Sequence, residues 1–158
     1  MLKNELNDFK KVDVSVKFLK VGRIDTKTER FDAALVVEST WDDEKLEMEI
    51  RELVGNETKL FKAIKCFVKV AEMYKFNPSS NWTPSLVVSN GIGELKEEIS
   101  YKIEVLTRNY KNKIIIDDQL EDLYQNLSIR VAEMRKIKGT FYQRFDLREF
   151  PLGKLNYK

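Results

Sequence analysis

The sequence predicts a mainly β protein, an antiparallel immunoglobulin-like β-sandwich with one or two short helices. Three observations predict this fold class. Apolar and polar residues alternate in several short segments, turn-forming residues separate those segments, and few segments have helical spacing. The length of 158 residues fits one domain, which we expect to span residues 1–158.

The strand predictions rest on this alternation, because successive side chains of a strand point to opposite faces. Residues 12–18 predict a half-buried first strand, and residues 31–37 predict a second strand that pairs with it as a hairpin. Residues 46–50 predict a third strand. Residues 99–105 predict a later strand, and residues 114–116 predict its partner in another hairpin.

The middle of the chain gives mixed signals. Residues 60–71 fit a helical stripe as well as a strand, so residues 47–81 stay open between the two. Residues 77–84 carry two of the three prolines and predict a loop. Residues 86–88 predict a short strand that ends at the turn signal Asn90-Gly91.

The last third of the chain predicts a short helix and then two strand pieces. Apolar residues in 120–127 recur at helical spacing behind Asp117 and Asp118, which can cap a helix. Residues 129–131 and 141–145 alternate on either side of Gly139 and predict the two strand pieces.

Composition excludes several function classes. The 28 Lys+Arg against 26 Asp+Glu give a net charge of +2, too small for a broad nucleic-acid-binding field. The chain has no histidine and one cysteine, Cys66, which excludes Ser/His/Asp, Cys/His and zinc chemistry. We therefore expect no enzyme activity, no metal, no cofactor and no nucleic-acid partner.

Location is also predicted from what the sequence lacks. No stretch is long and apolar enough for a signal peptide or a membrane span, so we expect a cytoplasmic protein without membrane insertion. The two remaining candidate sites are weak. Gly91-x-Gly93 lacks the context of a nucleotide loop, and the run Asp42-Asp43-Glu44 is typical of a solvated loop more than of a cation site.

Two tryptophans stand beside turn signals, and each has two interpretations. Trp41 and Trp82 can form part of an aromatic cage for a quaternary ammonium ion, since such a cation is attracted to ring faces. They can equally be large core residues that close the end of a strand, and the area that Trp buries favours this second interpretation.

Four motifs in order resemble one known family. Residues 12–25 are followed by a W-x-D-x-x-L motif at Trp41 and Asp43, and a W-x-P segment at Trp82 and Pro84 runs on to Asn90. Gly139-Thr-Phe141 then leads to Phe150-Pro151. These motifs are similar to those of the extracellular ligand-binding domain of pentameric (Cys-loop-type) ligand-gated ion channels. The resemblance implies that fold, with Trp41, Asp43, Trp82, Pro84, Asn90, Gly139, Phe150 and Pro151 as structural positions.

The departures from the family pattern concern ligand binding. Two positions at which the family usually has cage aromatics are Val36 and Ser89 here. The first cysteine of the signature loop would fall near Tyr157, so the resemblance implies no signature disulfide. The family's later strands and membrane helices do not follow Lys158, and an incomplete sandwich would leave open strand edges and an uncovered apolar face.

These points predict a non-enzymatic protein-interaction or scaffold module with protein partners at its strand edges. A cytoskeletal or axonemal assembly is one setting that suits such a small structural protein, and this hypothesis goes beyond the residues. The alternative is a genuine neurotransmitter-like small-molecule-binding domain, either a soluble homopentameric binding protein or a fragment of a channel receptor, because fold does not fix function.

Overall fold

Four strands form one antiparallel sheet in the computed structural model, which describes residues 10–55, 59–107 and 120–143. The strands lie in the order β1-β2-β4-β3, which makes β1 and β3 the edges. Three short helices join them, so the mainly β prediction is confirmed. The elements in chain order are β1 (Asp13–Asp25), β2 (Arg30–Asp42), α1 (Glu44–Val54), α2 (Leu60–Met73), β3 (Gly91–Thr107), α3 (Leu120–Gln125) and β4 (Leu127–Tyr142).

The first hairpin forms as predicted, and its turn is closed by side-chain hydrogen bonds. The backbone N–H groups of Lys27 and Thr28 donate to the Asp25 carboxylate at 3.0 and 3.3 Å. A hydrogen bond from the Thr28 side chain has the largest effect on the pKa of Asp25, and the two backbone bonds follow. All three lower this pKa because they favour the charged form of the carboxylate. Glu29 then takes a left-handed conformation with φ of 52°, which reverses the chain into β2.

The strand predicted at residues 46–50 is wrong, because these residues belong to α1. Asp43 caps the helix by accepting a hydrogen bond from the Leu46 N–H at 3.1 Å. Leu46 and Ile50 lie one helical turn apart and are both buried, whereas Met48 is 64% exposed. The apparent alternation therefore arose by chance on a helix, which ends at Gly55 with φ of 67°.

Residues 60–73, which the sequence left open, form the helix α2. Its buried residues are Ala63, Phe67 and Ala71, each four positions from the next, so one narrow face of the helix is covered. The predicted helix after residue 120 is confirmed as α3. Residues 114–116 and the proposed caps Asp117 and Asp118 lie outside the described residues.

Two predictions about the sheet are wrong. Residues 86–88 form no strand, since Val87 is 84% exposed and the Leu86 carbonyl accepts a hydrogen bond from the Arg135 guanidinium at 3.2 Å. The two pieces expected around Gly139 are one strand, β4. A Cβ at Gly139 would lie 2.5 Å from a methyl carbon of Leu95, so the glycine permits a close approach and does not interrupt the strand.

The chain divides into two compact units, each with its own core. The first holds the described residues among 1–14, 39–84 and 101–133, and the second those among 15–38, 85–100 and 134–158. The buried core of the first unit consists of Trp41, Leu46, Ile50, Phe67, Ala71, Leu127, Ile129 and Val131. The buried core of the second unit is smaller and consists of Ala33, Leu35, Ile137 and Phe141.

Candidate functional site

The β1 edge, defined as residues 15–25 of β1 in the second unit, is the most exposed secondary-structure segment among the described residues. Every residue from Ser15 to Ile24 is exposed. Among the described strands, β1 has a hydrogen-bonded neighbour, β2, on one side alone. The other side of an edge strand presents backbone N–H and C=O groups without a ladder partner, which is a template for a further strand.

Large apolar side chains are exposed along this edge. The values are Val16 57%, Phe18 46%, Leu19 56%, Val21 49% and Ile24 52%. Because neighbouring residues of a strand point to opposite faces, both faces of the β1 edge carry exposed apolar area. The half-buried strand predicted from residues 12–18 is therefore wrong in its burial, since Val14, Val16 and Phe18 are all exposed.

Three cations accompany the apolar residues. Lys17, Lys20 and Arg23 are the charged residues between Ser15 and Ile24, and this segment contains no acidic residue. Lys20 and Arg23 also line a shallow groove of about 380 Å³ on the second unit. The other residues that line it are Gly22, Asp32, Ala33, Ala34, Lys138, Gly139 and Thr140.

The one acidic side chain that lines this groove, Asp32, accepts a hydrogen bond from a neighbouring residue. The Thr140 hydroxyl donates to the Asp32 carboxylate at 2.7 Å. In contrast, Lys17, Lys20 and Lys138 form no salt bridge with any described residue, and the described neighbour that attracts Arg23 is Asp25. Three cations and one carboxylate line the groove, so its net charge is positive and it can attract an anion.

The structure brings together Trp41 and Trp82, which are family-motif positions in the first unit. Their rings meet edge to face with centroids 5.7 Å apart. Trp41 is 1% exposed and also contacts Phe76 at 6.2 Å, an aromatic that the sequence analysis missed. Trp82 is 44% exposed, with the Lys10 ammonium 5.1 Å from its ring. Trp41 is thus a core residue, as the second interpretation had it, whereas Trp82 is not.

Asp43 joins three parts of the first unit. Besides capping α1, its carboxylate lies 3.8 Å from the Lys10 ammonium, and its N–H donates to the Ile129 carbonyl at 3.0 Å. The Asp43 side chain is 3% exposed. The presence of Asp43 in the W-x-D motif is therefore explained by its cap on α1 and by its backbone hydrogen bond to Ile129, not by the binding of a metal cation.

A cavity of about 450 Å³ lies beside Trp41 in the first unit, and charged side chains of both signs line it. Its ion pairs are Lys11–Asp13 at 3.3 Å and Arg130–Asp42 at 3.0 Å. The indole N–H of Trp41 has no hydrogen-bond partner among the described residues. The cavity is thus lined by charged side chains that already form ion pairs and by the ring of Trp41. These groups could bind a small polar molecule.

The remaining predicted residues are dispersed. Pro84 is half-buried in the irregular segment before β3. The Asn90 side chain donates to the Tyr142 carbonyl at 3.1 Å, and the Asn90 carbonyl accepts from the Tyr142 N–H at 2.8 Å. Val36 is half-buried on β2, and Ser89 is exposed in the irregular segment. Phe150 and Pro151 lie outside the described residues.

Searches for other sites and for relatives give negative results. Within residues 10–55, 59–107 and 120–143, no group of three or more His, Cys, Asp or Glu residues is placed to hold a metal ion. The helices in these ranges are each too short or too polar to span a membrane. Comparison of the chain with known proteins finds no matching family model and no matching curated protein.

Proposed function

We propose that this chain is a non-enzymatic protein-interaction module that binds a partner polypeptide along the β1 edge. The observation that carries the proposal is the continuous exposure of this edge strand together with its apolar side chains. A partner segment that adds a strand would satisfy the free backbone groups and cover the exposed side chains.

Burial of the exposed apolar side chains by a partner would make binding at the β1 edge favourable. Burial of apolar area contributes about 25 cal/mol per Å², and full burial of one Val or Leu side chain is worth about 1.5–3 kcal/mol. Several such side chains lie along the β1 edge, and long exposed apolar edge strands are unusual in proteins that function alone. A binding role accounts for this exposure.

We also propose that the scaffold is of the ligand-gated-channel ligand-binding type. The support is the order of the four sequence motifs, the antiparallel sheet, and the contact between Trp41 and Trp82. The cytoplasmic location stays a prediction from the sequence, and the cytoskeletal or axonemal assembly stays a hypothesis that goes beyond the residues.

The test replaces two exposed valines of the β1 edge by asparagine, which removes apolar side chains and leaves the net charge unchanged. A Val16→Asn/Val21→Asn variant is compared with the wild-type chain for binding of peptides selected from a random library of about twelve residues. We expect selected peptides to protect the amides of residues 15–25 from hydrogen exchange. The variant should bind them at least about tenfold more weakly, since two valines lose contact with the peptide.

Val87→Asn is the matched control, because Val87 is 84% exposed and lies outside the strands. It should bind peptides as the wild type does. Both variants change only exposed residues, so their free energies of unfolding should stay within about 1 kcal/mol of wild type. Selection of no peptide, or protection elsewhere on the chain, would contradict the proposal.

The second candidate function is binding of a small neurotransmitter-like molecule, and the cavity beside Trp41 is the observation that favours it. We rank it second because Lys11, Asp42 and Arg130 at this cavity already take part in ion pairs. Calorimetric titration with choline is expected to give no saturable heat. A saturable heat that disappears in a Trp41→Phe variant would favour this function over the first.

A further inference from the structure

We infer that the partner of the β1 edge is an acidic, extended polypeptide segment, in which Asp or Glu residues alternate with apolar ones. This inference rests on the proposed function and names the chemistry of its partner. It follows from the sign of the free charges around the edge, from the groove beside it, and from the exposed apolar residues between the charges.

The β1 strand itself carries positive charge. Lys17, Lys20 and Arg23 lie at every third position of β1, and no acidic residue lies between Ser15 and Ile24 to balance them. Basic residues on an edge strand discourage pairing with another basic strand, because like charges directly opposite each other are destabilising. A partner strand that carries carboxylates meets no such repulsion.

The groove beside β1 adds a cation from a second strand of the same unit. Lys138 on β4 lines it together with Lys20 and Arg23, so cations from two strands converge there. Small residues, Gly22 and Ala34 among them, also line the groove and leave room for an incoming side chain. A carboxylate placed here would lie among three cations, which outnumber the one acidic residue of the lining, Asp32.

The cations of β4 in the second unit differ in whether they have a carboxylate partner. Arg135 lies 3.4 Å from Glu97, and Lys136 lies 3.9 Å from Glu98, so these two cations of β4 have carboxylate partners on β3. Lys17, Lys20 and Lys138 have none among the described residues. Of the three β4 cations in the second unit, Lys138 at the groove beside β1 is thus the one without a carboxylate partner among the described residues, and an acidic partner would complement it.

The apolar residues determine the rest of the partner's pattern. Val16, Phe18 and Val21 are each about half exposed on the edge, so a purely acidic segment would leave them in water. A strand in which apolar and acidic residues alternate would cover one face with apolar contact. With its apolar side chains over the face of Val16 and Phe18, its carboxylates would lie on the opposite face, which carries Lys17 and Arg23.

Three synthetic peptides of about ten residues test the inference. They alternate valine with glutamate, with glutamine, or with lysine, and their affinity is measured by fluorescence anisotropy. We expect the glutamate peptide to bind roughly tenfold more tightly than the glutamine peptide, because several cross-strand charge pairs add up. This preference should shrink at about 0.5 M salt, which screens exposed charges.

A Lys20→Gln/Arg23→Gln/Lys138→Gln variant should lose the preference and keep the weaker binding of the glutamine peptide. The matched control is Lys62→Gln/Lys65→Gln/Lys69→Gln on α2, which removes the same charge from exposed positions of the first unit. The control should keep the full preference for the glutamate peptide. Equal loss in both variants would show that net charge alone attracts the peptide, and would overturn the inference.

Other outcomes separate this inference from the function it rests on. If library peptides bind the β1 edge but glutamate and glutamine peptides bind equally, the acidic partner is wrong and the interaction module stands. Tighter binding of the lysine peptide would have the same meaning. Light scattering is expected to give the monomer mass of 18.6 kDa, whereas a dimer abolished by Val16→Asn/Val21→Asn would place a second copy on the edge and overturn the inference.

Discussion

Replacement of Trp41 by alanine is expected to lower the free energy of unfolding by about 3–5 kcal/mol, as removal of a large buried aromatic usually does. Trp41 is 1% exposed and belongs to the core of the first unit, where its ring contacts Phe76 and Trp82. The alanine variant leaves a cavity among these residues and removes both ring contacts. Urea unfolding followed by circular dichroism measures the loss.

Two further variants make this expectation specific. Trp82→Ala should cost markedly less than Trp41→Ala, because Trp82 is 44% exposed. Trp41→Phe should also cost less, since it keeps an aromatic ring and removes an indole N–H that has no hydrogen-bond partner among the described residues. Equal losses for Trp41→Ala and Trp82→Ala would contradict the assignment of Trp41 to the core.

The strands of the sheet could be predicted from sequence, because alternation is a direct consequence of strand geometry. The hairpin at residues 12–37 and the strand at 99–105 are examples. The helix α1 was missed because Leu46, Met48 and Ile50 alternate as well. The signal that would have identified it is the cap at Asp43 with Gly55 at the opposite end.

The β1 edge shows a different limit of sequence analysis. The alternation predicts that Val14, Val16 and Phe18 share a face. It does not predict whether another element covers that face. That depends on contacts distant in sequence, and the structure shows the face exposed. The expectation of an uncovered apolar face came from the family resemblance and not from the pattern of β1 itself.

Arg51 could not be identified from sequence, because its partners lie far along the chain. Its guanidinium donates to the Leu127 carbonyl at 2.9 Å, to the Tyr124 carbonyl at 3.2 Å and to the Glu47 carboxylate at 3.1 Å. It also lies 5.1 Å from the ring centre of Phe67 and 5.0 Å from that of Tyr124. One side chain thus joins α1, α2, α3 and the start of β4 within the first unit.

Arg51→Ala is therefore expected to destabilise the chain by about 2–4 kcal/mol, since hydrogen bonds to a charged group contribute about 1.5–3 kcal/mol each and are not fully additive. The variant leaves two carbonyl groups and a largely buried Glu47 carboxylate without this donor. Thermal and urea unfolding measure the change. Lys45→Ala is the control, because its ion pair with Glu49 is exposed and should contribute less than about 0.5 kcal/mol.

Arg51→Lys distinguishes the contribution of charge from that of geometry. A lysine ammonium keeps the charge opposite Glu47, but it is a compact group without the planar fork of the guanidinium. It cannot reach two carbonyls and a carboxylate while also contacting the rings of Phe67 and Tyr124, so we expect it to recover less than half of the loss. Wild-type stability in Arg51→Lys would show that charge alone holds α1 to α3, and would contradict the role assigned to the fork.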